Sequence, residues 1–251
     1  MGLDIYSGTL IRYYSRNWLT SVQQWGIDNG FQVDIVRPKG NDETASLDEI
    51  TQGVNGWRQQ VLRIFQPHLT KPVLWNEDND STPYYTNKPD WCAYEALLLY
   101  ACANIVKKPL PETVPKDFDF WSHPYYQEYA QSGSAALSLF QCEWWLPIAD
   151  EFMWNGTLPT GHERIVGTVG MLADELEQIN NIEWKADEQT IINWVDTEGY
   201  PDDAYYHDGK VEMLEKHTEY NTLSIAKFAF SILWQAVKHS QKNGTLIILD
   251  Y

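Results

Sequence analysis

The chain has 251 residues, with 35 acidic and 18 basic side chains, a net charge of −17, 12 tryptophans and 15 tyrosines. An acidic chain poor in aromatics could not bury enough apolar surface to offset the entropy of ordering. Here the aromatics supply a core, which excludes a disordered acidic tail and puts the excess charge on the surface of a folded body. Such a surface repels phosphates and anionic lipid heads, so no nucleic-acid or membrane partner is expected, whereas a basic protein would be attracted.

The charge is uneven. Residues 1–68 hold six basic and seven acidic side chains, residues 69–163 five and thirteen, and residues 164–251 seven and fifteen, so the N-terminal quarter is near neutral. Cys92, Cys102 and Cys142 form no Cys-x-x-Cys pair and are an odd number, which points to buried thiols rather than a disulfide framework or a zinc site. Met1 to Tyr6 lacks the basic and apolar regions of a signal peptide, and the longest apolar stretch, Ala96 to Ala103, falls far short of a bilayer span. A cytoplasmic protein is the expectation.

Leu3 to Tyr6 and Leu10 to Tyr14 read as two extended segments around Ser7-Gly8-Thr9, and Asn17 as the N-cap of a helix through Trp18, Val22 and Trp25 to Asn29-Gly30. Phe31 to Val36 alternates as a strand would. Ser46 and Glu49 form a capping box before Ile50, Val54, Trp57, Val61, Ile64 and Phe65, the apolar face of a helix. Val73-Leu74-Trp75 is expected as a short strand. Pro89 to about Lys107 is apolar over most of its circumference and is read as a central helix. Pro109, Pro111 and Pro115 then make a stiff connector.

Tyr125 to Trp145 is expected to be helical, and Phe152-Met153-Trp154 extended before a turn at Asn155-Gly156. Thr160 and Glu163 suggest a second capping box, starting a helix through Ile165, Val169, Leu172, Leu176 and Ile179. Residues 187–195 suggest a short helix, 199–209 an irregular loop, and Asn221 the start of a long helix ended by Asn243-Gly244. The β-rich run Thr245 to Leu249 is best explained by pairing with an N-terminal strand. The expected fold is α+β: one mainly helical domain over residues 1–251, with a small sheet formed by the N-terminal strands and the C-terminal strand.

Two stretches combine carboxylates with aromatics and are the candidate partner-binding residues. One is the loop with Trp75, Glu77, Asp78 and Asp80, with Trp75 as anchor; it lacks the glycine and the final glutamate of an EF-hand. The other holds Asp202, Asp203, Tyr205, Tyr206, Asp208 and Glu212, and if it continues as a helix then Glu212, Glu215 and Glu219 form an acidic ridge. Trp18, Trp25, Trp57, Trp91, Trp194 and Trp234 are read as core, and Trp75, Trp121, Trp144, Trp145, Trp154 and Trp184 as lying nearer loops.

No catalytic signature accompanies these stretches. The six histidines form no His-x-x-x-His pair, no Gly-x-Ser-x-Gly elbow exists, and Gly167-Thr168-Val169-Gly170 lacks the lysine of a phosphate loop. No metal or other cofactor is expected. In composition the chain resembles the acidic cytoplasmic immunity proteins that bacteria pair with secreted toxins. The resemblance implies a protein that neutralises or regulates a basic, toxin-like partner. The alternative is a carboxylate-dependent, glycosidase-like hydrolase with an aromatic-lined cleft, which requires two facing acids in a pocket.

Overall fold

The computed structural model describes residues 2–33, 45–202, 204–207, 210–214 and 217–251, with the backbone alone for 204–207 and 210–213. In chain order its first elements are β1 (Asp4–Gly8), α1 (Leu10–Ser15), α2 (Ser21–Asp28), α3 (Leu47–Phe65), β2 (Tyr85–Asn87) and α4 (Asp90–Ile105). There follow β3 (Thr113–Pro115), α5 (Pro124–Gln131), α6 (Ser138–Gln141), β4 (Trp144–Leu146), β5 (Met153–Thr157) and β6 (Glu163–Thr168). The last are α7 (Val169–Ile182), α8 (Glu188–Thr197), β7 (Ala204–His207), β8 (Lys210–Met213), β9 (Glu219–Asn221), α9 (Thr222–Asn243) and β10 (Leu246–Asp250). The fold is α+β, as expected. No helix among the described residues is long and apolar enough to cross a membrane.

Six strands form one sheet in the order β2-β1-β10-β4-β6-β5, antiparallel throughout except for the parallel pair β4–β6. The C-terminal strand pairs with β1 in the register Asp4↔Asp250 to Gly8↔Leu246, the closure the sequence suggested. Because side chains alternate across a strand, each strand feeds two cores. Ile5, Trp145, Ile247 and Leu249 face the larger core, with α4, α7 and α9. Tyr6, Trp144, Leu146, Leu246 and Ile248 face the smaller one, covered by α1 and by Val54 and Val61 of α3. The apolar circumference of α4 is explained by its place inside the larger core, where residues 93–103 are buried.

Several local readings are overturned by tertiary contacts. Residues 10–15 are helical, not extended: Thr9 caps the helix, and the Glu77 carboxylate accepts hydrogen bonds from Leu10 N (2.7 Å) and Ile11 N (3.1 Å). The next helix begins at Thr20, whose capping box with Gln23 displaces Asn17; the backbone N–H of Asn17 instead closes the preceding helix on Arg12 O. Trp25 on that helix is 60% exposed rather than core. Residues 31–33 are irregular, and 34–36 lie outside the described residues. Residues 73–75 form no strand; Asn76 N donates to Gly244 O (2.7 Å) instead.

The stretch from Tyr125 to Trp145 is broken into α5, a turn with Gly133 at φ 68°, α6 and β4, because Trp144 and Trp145 pair with Ile248 and Ile247. Thr160 and Glu163 cap nothing: they belong to a hairpin of β5 and β6 whose turn has Gly161 at φ 83° and a bond from Leu158 N to His162 O. The helix begins later, at the N-cap Thr168. Residues 204–207, expected to be loop, pair with β8, and Thr113–Pro115 of the proline connector pairs with β9.

Two buried polar contacts hold this architecture. Glu175 on α7, 4% exposed, accepts from Ser138 N (2.6 Å), Ser138 Oγ (2.8 Å) and Leu139 N (2.9 Å), and Trp145 Nε1 donates to the same hydroxyl (2.9 Å). His239 on α9 reaches under the sheet to Ser7 Oγ (3.2 Å) and packs against Tyr85, its Nε2 buried without a partner among the described residues. Burial and then nearby Lys242 hold its pKa down to about 4, so the ring is neutral at ordinary pH.

Glu175→Ala strands two buried N–H groups and is expected to lower the unfolding free energy by about 3–5 kcal/mol, read by urea denaturation. His239 has a depressed folded pKa, so the unfolded chain binds its proton first and stability falls as pH drops from 6.5 towards 4. His239→Gln is expected to remove about 2 kcal/mol of that loss, measured as the difference between the two proteins' stability–pH curves.

Candidate functional site

The first predicted stretch turns inward. Trp75 is 4% and Glu77 8% exposed, so neither serves as a partner-facing residue. Glu77 Oε1 accepts from Trp75 Nε1 (2.8 Å) while Oε2 takes the first N–H groups of α1, and Trp75 packs edge-on against Trp57 at 5.6 Å. A helix start leaves N–H groups unpaired, and here a distant carboxylate supplies the acceptor. Desolvation raises the pKa of Glu77 against the pull of these donors. Arg12 donates to Thr82 O (2.7 Å) and to Asn79 O, strapping the loop to α1. Asp78 and Asp80 remain exposed; Asp78 accepts from Ser81 Oγ and from Asp80 N (3.0 Å), and these bonds lower its pKa, the Ser81 bond most.

In the second stretch residues 204–207 and 210–213 are paired antiparallel strands, not the irregular loop expected, and Glu212 is therefore not on the helix that the acidic ridge required. The register sets Tyr205 opposite Glu212 and Tyr206 opposite Val211, and Glu219 lies in another strand, β9. Asp202 is exposed, while Asp203, Asp208 and Glu215 lie outside the described residues. These two strands form a sheet of their own, and no strand pairing among the described residues joins it to the six-stranded sheet.

A groove of about 470 Å³ lies elsewhere, at the carboxyl ends of the parallel strands β4 and β6. Three local features build it. Asp150 ties the segment after α3 to the turn after β4, accepting from Thr70 N (2.8 Å), Thr70 Oγ1 and Lys71 N (3.2 Å); these bonds, the Thr70 hydroxyl's first, lower its pKa. Gly170 lets the start of α7 meet that turn, since a Cβ there would stand 2.3 Å from Ala149 O. Gly244, at φ 67°, ends α9 against Leu74, whose carbonyl oxygen would be 2.8 Å from a Cβ.

Pro72, Leu74, Pro147, Ile148, Val169 and Ala173 give the groove an apolar lining, and Glu151, Asp174, Glu177 and Lys71 supply its charges. Glu151 and Glu177 are exposed, and Asp174 accepts from Gln178 Nε2. Lys71 Nζ donates to Ala149 O (3.2 Å). Two of the first amides of α7 are already used: Gly170 N donates to Ile148 O (2.9 Å) and Met171 N to Thr168 Oγ1 (3.3 Å). Sequence reasoning missed this groove because its residues come from four separated segments. The available signal was Gly170, which marks a close backbone approach rather than a phosphate loop.

The buried reactive groups are committed elsewhere. Glu95 accepts from Phe120 N (2.9 Å), and Glu77 and Glu175 are engaged as described. Burial pushes the thiols of Cys92 and Cys102 up to about 11 and that of Cys142 to about 12, which keeps them protonated and weakly nucleophilic. Ser7, paired with His239, has no exposed surface. Among the described residues no cluster of three His, Cys, Asp or Glu side chains is arranged to hold a metal ion.

No family model, no curated protein and no solved structure matches this chain.

Proposed function

We propose that the protein binds a basic protein partner and thereby neutralises or regulates it. The observation that supports this is how the carboxylates divide. The buried ones, Glu77, Glu95 and Glu175, are spent on internal N–H groups of the protein. Of the remainder, the described ion pairs take up only three: Glu128 with Lys108, Glu143 with Arg164, and Glu198 with Lys227. Among the described residues most of the other carboxylates are in no such ion pair, so the excess of acidic over basic side chains in the chain, 35 against 18, is left largely uncompensated by contact. A field of this kind accelerates encounter with a cationic protein, while close contacts hold the complex afterwards.

The hydrolase reading draws less from the same geometry. It needs one carboxyl held protonated beside a second that stays ionised, both open to substrate. The buried carboxyl groups with raised pKa values instead point at backbone amides and an indole N–H.

The test is kinetic. The full chain, immobilised, is used to retain partners from an extract of its source cells at low salt, and association with the purified partner is followed by stopped flow. The association rate constant is expected to fall at least roughly tenfold between about 20 mM and about 500 mM salt. A specific partner whose association rate ignores ionic strength, or one that is itself acidic, overturns the proposal.

A further inference from the structure

We infer that the groove at the ends of β4 and β6 is the seat of a lysine or arginine side chain presented by the partner, a reading that rests on the binding function proposed above. The lining decides the shape of the occupant. Leu74, Ile148, Val169 and Ala173 offer an apolar wall that suits the methylene stem of a long basic residue. At about 470 Å³ the groove admits such a side chain together with the backbone that carries it.

The electrostatics decide its sign. The start of a helix ordinarily favours anions, but here the amides of Gly170 and Met171 are bonded to Ile148 O and Thr168 Oγ1 and are not free donors for an anion. Ser240 and Gln241 bring in the last turns of α9, but Lys242 stands in the same turn and Ser240 O already accepts from Gly244 N (2.8 Å) and Thr245 N (3.3 Å), so the side-chain carboxylates set the sign. Glu151, Asp174 and Glu177 add three carboxylates against one ammonium, Lys71, which is itself held on Ala149 O. An anionic or purely apolar occupant would leave this field uncompensated. A cation on an aliphatic stem answers both halves of the lining.

The inference can be tested without the partner. The full ¹⁵N-labelled chain is titrated with Nα-acetyl-lysine methylamide and, in parallel, with the neutral norleucine analogue. The lysine probe is expected to give saturable shifts at Ala149, Gly170, Ala173 and Asp174, with a dissociation constant in about the millimolar range. The norleucine probe is expected to give none that saturate.

Asp174→Asn combined with Glu177→Gln is expected to weaken the lysine probe at least roughly fivefold, and Asp196→Asn on α8 to leave it unchanged. The variants' undisturbed amide spectra away from the groove serve as the folding control. Shifts that do not saturate, that are the same for both probes, or that survive the double substitution overturn the groove assignment. A partner that binds the double variant as tightly as the parent also overturns the groove, and leaves the salt-dependent association as the separate measure of the binding function.

Discussion

The C-terminal strand lies in the middle of the sheet, hydrogen-bonded to β1 on one side and β4 on the other. Everything else in the fold is arranged around that insertion. Residues near the two ends of the chain meet there, and four consecutive apolar side chains, Leu246 to Leu249, are divided between two cores by the pleat. A one-residue slip would exchange the faces and send every one of them into the wrong core, so the register is tightly specified. Gly244 makes the entry possible, since the chain must leave α9 and turn into the sheet where Leu74 already stands. The same closure fixes the end of α9 beside the start of α7, and the groove lies between them.

Burial separates this chain's carboxylates into two populations with opposite duties. Glu77, Glu95 and Glu175 are displaced upward in pKa by desolvation, yet each accepts from backbone amides of another segment. Glu77 completes α1, and Glu175 completes the start of α6. These contacts span 67 and 37 residues of chain, so they are fold-determining bonds rather than local decoration. Removing one leaves buried donors unpaired, which costs more than the bond itself contributes. Among the solvent-facing carboxylates some, such as Asp150 and Glu49, also hold backbone amides, but their charge stays in water, and the net charge can be read as a property of the surface.

Elements with strong local patterns were legible in the sequence. The Ser46–Glu49 capping box, the apolar circumference of α4, the Asn221 start and Gly244 end of α9, and the strand character of Thr245 to Leu249 all follow from nearest-neighbour chemistry. At two of the places where the reading failed, a distant partner outweighed the local pattern. Leu10 to Ser15 coil because a carboxylate 67 residues away accepts their amides, and Trp144 and Trp145 are extended because Ile247 and Ile248 pair with them. The candidate site was less legible for a related reason. Tryptophan beside glutamate looks the same whether it faces a partner or, as with Trp75 and Glu77, closes on itself.

The position of the groove follows from how charge and coverage are distributed along the chain. The near-neutral first quarter supplies β1 and the helices α1 and α3 that cover the smaller core, a role that would penalise unpaired charge. The groove is assembled entirely from the later, acid-rich part: the strap at 71–74, the turn at 147–151, the first turns of α7 and the end of α9. Because Asp150 is consumed in fastening the strap and the Gly170 amide in fastening the turn, the charges left over at the opening are the ones the fold does not need. A surface on which structural demands are already met is free to be shaped by what binds to it. In this chain that condition holds where an apolar wall and three carboxylates converge beside the end of α9.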